Sequence, residues 1–119
     1  METKTIIVQK FRREEEDIYS YAQKYYSILS AVNNLHLTER EIQLIAFTAV
    51  NGNISYTAVR KEFCEKYKSS SPTVNNIVSK LKRIGIFIKD GTKVKINPVI
   101  CLDFNKELQL EVKLTCKYG

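Results

Sequence analysis

The stretch SSSPTVNNIVSKLKRIGIF, residues 69–87, gathers hydrogen-bonding side chains on one side of a pattern that is apolar on the other. Val74, Ile77, Val78 and Leu81 recur at i, i+3, i+4 and i+7, the spacing of one helical face. The opposite face carries Thr73, Asn75, Asn76, Ser79, Lys80 and Arg83. Amides, hydroxyls and cations in such a row can meet the polar edges and phosphates of a nucleic acid, and they equally suit water. The distribution of charge favours the first. Residues 55–97 hold ten Lys/Arg against three acids, a net +7, whereas the rest of the chain nets −1. The whole positive excess of a +6 protein thus lies in one contiguous segment, as a phosphate-binding footprint requires.

Other chemistries find little support. The cysteines, Cys64, Cys101 and Cys116, form no CxxC pair, and their odd number leaves one over in any disulfide scheme, so they read as small apolar fillers in a reducing compartment. The single histidine, His36, sits in a polar turn without a second imidazole or a thiol cluster to complete a zinc site. No Gly-rich phosphate loop, no GxSxG and no carboxylate pair among apolar residues is present. We therefore expect no enzyme, no cofactor, no metal and no small-molecule ligand. Apolar runs are only a few residues long and the N-terminus lacks a secretory h-region, which predicts a cytoplasmic protein that does not enter the membrane. For a viral chain the corresponding place is the host cytoplasm or the virion.

The elements that must position the polar face can be read in order. At 119 residues the chain suits one domain. Residues 3–11, TKTIIVQKF, form a β-branched run that predicts a strand. From Arg13 to Leu35 apolar residues repeat every three or four positions, predicting a long helix with an acidic first turn at Glu14–Asp17. Its tyrosine-rich seam is expected to pack on the domain's own core, and it is also a candidate for joining two protomers. Thr38 and Glu41 have the spacing of a capping box and start a second helix that Asn51-Gly52 ends. Ser55 is the expected N-cap of a third helix carrying Val59, Phe63 and Tyr67. Ser71 is the expected N-cap of a fourth, with Pro72 at its first position and Gly85 at its end. The runs on either side of Asp90-Gly91 predict a β-hairpin. A three-residue loop, Asp90–Thr92, would put Ile86, Ile88, Val94 and Ile96 on a buried face, with Phe87, Lys89, Lys93 and Lys95 outside. Finally, Leu108, Leu110, Val112, Leu114, Cys116 and Tyr118 alternate strictly with polar residues. That strand must pair, either with residues 3–11 or with a partner subunit.

Helix, helix, turn, helix and hairpin make up residues 38–98, and this half of the chain resembles the winged helix-turn-helix superfamily. Within it SPTVNNIVSKLKRIGIFIKDGTKVKINPVI is similar to the multiple-antibiotic-resistance-regulator-like group, and INPVI to the plasmid and phage replication-protein branch. The fold class expected is α+β: a single domain, 1–119, with a strand and long helix (1–37), a winged core (38–98) and a C-terminal extension with a strand (99–119). The resemblance implies that the fourth helix lies in the major groove of double-stranded DNA with the hairpin as a wing. On that mapping Thr73, Asn75, Asn76, Ser79 and Lys80 face bases, while Ser70, Ser71, Lys82, Arg83, Lys89, Lys93 and Lys95 hold phosphates. The chain departs from the family in carrying Pro72-Thr73 where an arginine is usual and in having no glycine in the turn at 68–71. The expected function is a DNA-binding transcriptional regulator or replication-associated factor. The alternative is a non-catalytic interaction or structural subunit of a viral or replication assembly. Self-association is expected through the first helix or the terminal strands.

Overall fold

A computed structural model describes residues 2–11 and 17–117. It is α+β, with four helices and two antiparallel two-stranded sheets among the described residues. Strand β1 (Glu2–Phe11) is followed by helices α1 (Ile18–Val32), α2 (Glu39–Asn51), α3 (Thr57–Tyr67) and α4 (Ser71–Arg83). Strands β2 (Phe87–Asp90) and β3 (Lys93–Ile96), a 3-10 turn at Pro98–Ile100 and strand β4 (Leu108–Lys117) complete the chain.

Local chemistry sets most helix limits. Asp17 caps α1 by accepting from the Ser20 N–H at 2.8 Å, and that bond lowers the Asp17 pKa. The helix is shorter than its apolar period suggested, ending at Val32 because Asn33 and Asn34 leave helical geometry. The expected acidic turn at Glu14–Glu16 lies outside the described residues, as does Arg13. The Thr38/Glu41 capping box forms with both reciprocal bonds, at 3.2 and 2.8 Å, and Gly52 closes α2 at φ +87°. Ser55 does not cap α3: its hydroxyl instead accepts from the Val94 N–H, and Tyr56 precedes the helix without a side-chain cap.

One core joins all four helices to β2 and β3. Tyr21, Tyr26, Leu44, Phe47, Ile54, Phe63, Val74, Leu81 and Phe87 are fully or almost fully buried. Tyr19 of α1 stacks on Phe47 at 5.4 Å, so the tyrosine seam does pack inward. Phe104, in the loop before β4, is buried among the rings of Tyr21, Tyr25 and Tyr26 at 5.7–6.2 Å. The Tyr26 hydroxyl donates to the Ile100 carbonyl at 3.0 Å, and burial pushes its pKa up. Of the cysteines expected as apolar fillers, Cys64 is half-buried and packs against the core, whereas Cys101 and Cys116 are exposed.

Strands β1 and β4 pair from Glu2↔Lys117 to Phe11↔Leu108. The base of this ribbon is tied down: the Leu108 N–H donates to the Tyr21 hydroxyl at 2.8 Å, and Leu108 and Leu110 pack on the core. Further out, every described side chain of β1 from Lys4 to Lys10 is exposed. Tyr118 lies outside the described residues.

Candidate nucleic-acid interface

The polar face depends on how α4 is held. Ser70, one residue earlier than expected, is the N-cap; its hydroxyl oxygen accepts from the Thr73 N–H at 3.4 Å and lies 2.9 Å from the Thr73 hydroxyl. Pro72 therefore occupies the second helical position, where a missing N–H is still harmless because the first four helical N–H groups have no intrahelical partner. Val74, Ile77, Val78 and Leu81 are buried as their spacing demands. At the other end Gly85 adopts φ +83°, the Ile86 N–H donates to the Leu81 carbonyl at 3.0 Å and the Gly85 N–H to the Lys82 carbonyl at 3.2 Å. This pair of bonds is a Schellman stop, and it aims the chain from α4 directly into β2.

Of the residues expected to face bases, Thr73, Asn75, Asn76 and Ser79 are exposed together on α4. Lys80 is not free to join them. Its ammonium meets the Glu41 carboxylate at 2.7 Å, with the Glu41 side chain only 6% exposed. Burial would raise the Glu41 pKa, but hydrogen bonds from Lys80 and from the Thr38 N–H outweigh it and hold the carboxyl below its ordinary value. A carboxylate buried beneath α4 thus draws the lysine inward, and the contact locks α4 onto α2. Asn75 is also engaged, because an Arg60 guanidinium N–H donates to its Oδ1.

Of the residues expected at phosphates, Ser71, Lys82, Arg83, Lys89 and Lys93 are exposed, while the Ser70 hydroxyl is occupied as the cap. Lys95 is half-buried and paired with Asp90 at 2.7 Å; that hydrogen bond lowers the Asp90 pKa.

The hairpin differs from its expected register. Phe87 pairs with Ile96, Ile88 with Lys95, Lys89 with Val94 and Asp90 with Lys93, which leaves a two-residue loop, Gly91-Thr92. Gly91 has φ +62°, as a glycine-first hairpin turn requires. Phe87 is 1% exposed and shares its face with Val94 and Ile96, whereas Ile88 is only half-buried. The driving force is size: burying the phenyl ring removes more apolar surface from water than burying Ile88, and Ile86 is already taken inside by the Schellman turn. The lysines are split accordingly, Lys93 and Lys95 sharing a face with Ile88 and Asp90, and Lys89 standing at the tip of the other.

Two cations that the helix-four pattern did not single out belong to this surface. Arg60 and Lys61 of α3 line, with Thr57, Ser69, Ser71 and Asn75, a groove of about 510 Å³ between α3 and the start of α4. The Arg60 Nε–H also donates to the Ile54 carbonyl at 2.8 Å, so its guanidinium is fixed at both ends. Both residues were within the basic segment, yet their reach to Ser71 and Asn75 follows from the α3–α4 packing. Lys66, by contrast, sits 4.7 Å over the Tyr19 ring and helps dock α3 on α1. The exposed cations of the segment are Lys61, Lys66, Lys68, Lys82, Arg83, Lys89 and Lys93, of which Lys66 is engaged by the Tyr19 ring.

Among the described residues no group of three or more His, Cys, Asp or Glu is placed to hold a metal ion, and no helix is long and apolar enough to cross a membrane. No protein-family model, no curated protein and no solved structure matches the chain.

Proposed function

We propose that this chain is a double-stranded-DNA-binding protein of winged helix-turn-helix type, acting as a transcriptional regulator or replication-associated factor, with α4 in the major groove and the β2–β3 hairpin as its wing. The observation that carries the reading is that the +7 segment spans α3, α4 and the β2–β3 hairpin, within which Thr73, Asn75, Asn76 and Ser79 of α4 and the cations Lys82, Arg83, Lys89 and Lys93 are all exposed. Thr73, Asn76 and Ser79 meet base edges in this reading. Asn75 has one lone pair of its oxygen engaged by Arg60, so bidentate pairing with adenine would share that acceptor with the guanidinium. Lys61, Lys68, Lys82, Arg83, Lys89 and Lys93 neutralise phosphates, whereas Lys80 and Lys95 serve the fold.

Titrating a fluorescent random duplex with the protein at several salt concentrations tests this. Anisotropy should report binding whose affinity falls steeply with salt; no binding at low salt would overturn the proposal. A second reading, a non-catalytic subunit of a viral or replication assembly, is favoured by the exposed apolar side chains of the β1–β4 ribbon.

A further inference from the structure

The ribbon of β1 and β4 has two unequal faces. Directly opposed residues of an antiparallel pair share a face, so the register puts Thr5, Ile7, Gln9, Leu110, Val112 and Leu114 on one side, without a charge. The other side carries Lys4, Lys10, Glu111 and Lys113 together with Ile6 and Val8. Ile6, Ile7, Val8 and Leu114 are each at least half exposed. An isolated two-stranded ribbon is at best marginally stable in water, and three or more strands are normally needed.

The outer edge of β4 is open. Among the described residues, no backbone hydrogen bond from outside β1 reaches β4 between Gln109 and Cys116. The Leu108 N–H is turned away from β1, towards the Tyr21 hydroxyl. Alternation along an antiparallel ladder then directs the N–H and C=O groups of Leu110, Val112 and Leu114 to the same open edge.

We infer that this edge pairs with a second copy of itself, in antiparallel fashion about a two-fold axis at Val112. The strand LQLEVKLT is self-complementary in that register. Gln109 falls opposite Thr115 of the second copy, Leu110 opposite its Leu114, Glu111 opposite its Lys113 and Val112 opposite its Val112. The symmetry generates every contact twice, as an isologous interface must. Within one chain Glu111 and Lys113 stand opposite Val8 and Ile6, so neither has a charge directly across the ribbon. Pairing supplies it. It also brings outward-pointing backbone groups together at each of Leu110, Val112 and Leu114, and it keeps the apolar faces continuous across a four-stranded sheet β1-β4-β4-β1. A register shifted by one residue would set outward groups against inward ones and mix the two faces. Glu111 and Lys113 one residue on either side of the axis therefore select both partner and register, whatever ligand α4 binds.

Sedimentation and light scattering of the full chain across a concentration series test the inference. The expected mass at high concentration is twice 13.8 kDa, falling to the monomer on dilution. Glu111→Lys faces like charges at two symmetric positions and should weaken association by roughly tenfold or more. Adding Lys113→Glu to it should restore association, which a variant that merely damaged the strand could not do. In a Cys101→Ser, Cys116→Ser background, Val112→Cys should form a disulfide-linked dimer under mild oxidation, because facing Cα atoms lie about 5.5 Å apart. Thr115→Cys should not. A monomer at every concentration, no rescue by the charge swap, or cross-linking at Thr115→Cys in place of Val112→Cys would overturn the pairing.

Discussion

The two small sheets differ in how completely the chain satisfies them. In the β2–β3 hairpin, Phe87, Val94 and Ile96 are buried, and the far side of β3 is covered: the Ile54 N–H donates to the Val94 carbonyl at 2.9 Å and the Val94 N–H donates to Ser55. In the β1–β4 ribbon, only Leu108, Leu110 and Val112 are even half-buried among the described side chains, and the outer edge of β4 is uncovered. The four-residue strands are finished objects, and the ten-residue strands are not. Hairpin length therefore says nothing of stability here; what matters is whether a third layer exists to receive the apolar face.

Substitutions that separate the two sheets should have very unequal effects. Phe87→Ala empties a fully buried site and should cost about 3–5 kcal/mol in urea unfolding, whereas Leu114→Ser, measured on dilute monomer, should stay within about 0.5 kcal/mol. Equal losses would mean that the ribbon is part of the core. Lys80→Met leaves Glu41 buried without its cation and should cost about 1–3 kcal/mol, discounted toward the low end for the partial exposure of Lys80, with the salt dependence of DNA binding unchanged.

The same ion pair sets a pH dependence. The Glu41 pKa is lower folded than its ordinary 4.5, so the stability it contributes is fully present above that value and is lost as pH falls through the lowered one. Thermal melts from neutral pH downward should show a larger loss in the native chain than in Glu41→Gln, where lowered carboxyls such as Asp17 remain. Replacing both Lys82 and Arg83 with Ala should leave melting almost unchanged, weaken duplex binding and flatten the log–log salt slope by about 1.8. The smallest effect expected is a gain. Lys68 ends α3 at φ +52°, a left-handed conformation that favours glycine, so Lys68→Gly should stabilise the protein by about 0.5 kcal/mol in the same urea assay.

Much of this was legible where the determining forces are local. The Thr38/Glu41 box, Gly52 and Gly85 announce helix ends because a cap is built from residues three or four apart. The apolar period of α4 named its four buried residues, and strict alternation named β4. Where two local solutions competed, reading along the chain chose less well. Ser70 and Ser71 are both good caps, and the helix starts from the first. Phe104 went unnoticed because it is a single ring in an irregular loop, with no period to mark it.

The candidate interface divides the same way. Residue type and helical phase alone determined that Thr73, Asn75, Asn76 and Ser79 share one exposed face, and counting charges alone located the basic segment. Tertiary structure decided which of those groups remain available. Glu41, nearly forty residues upstream, claims Lys80; Arg60 engages the oxygen of Asn75; and the bulk of Phe87 sets the hairpin register that divides the lysines. Phase along a helix or strand is a property of neighbouring residues, whereas the partner of a charge and the face that a sheet buries depend on which distant surfaces folding brings within a few ångströms, where electrostatics and apolar burial act.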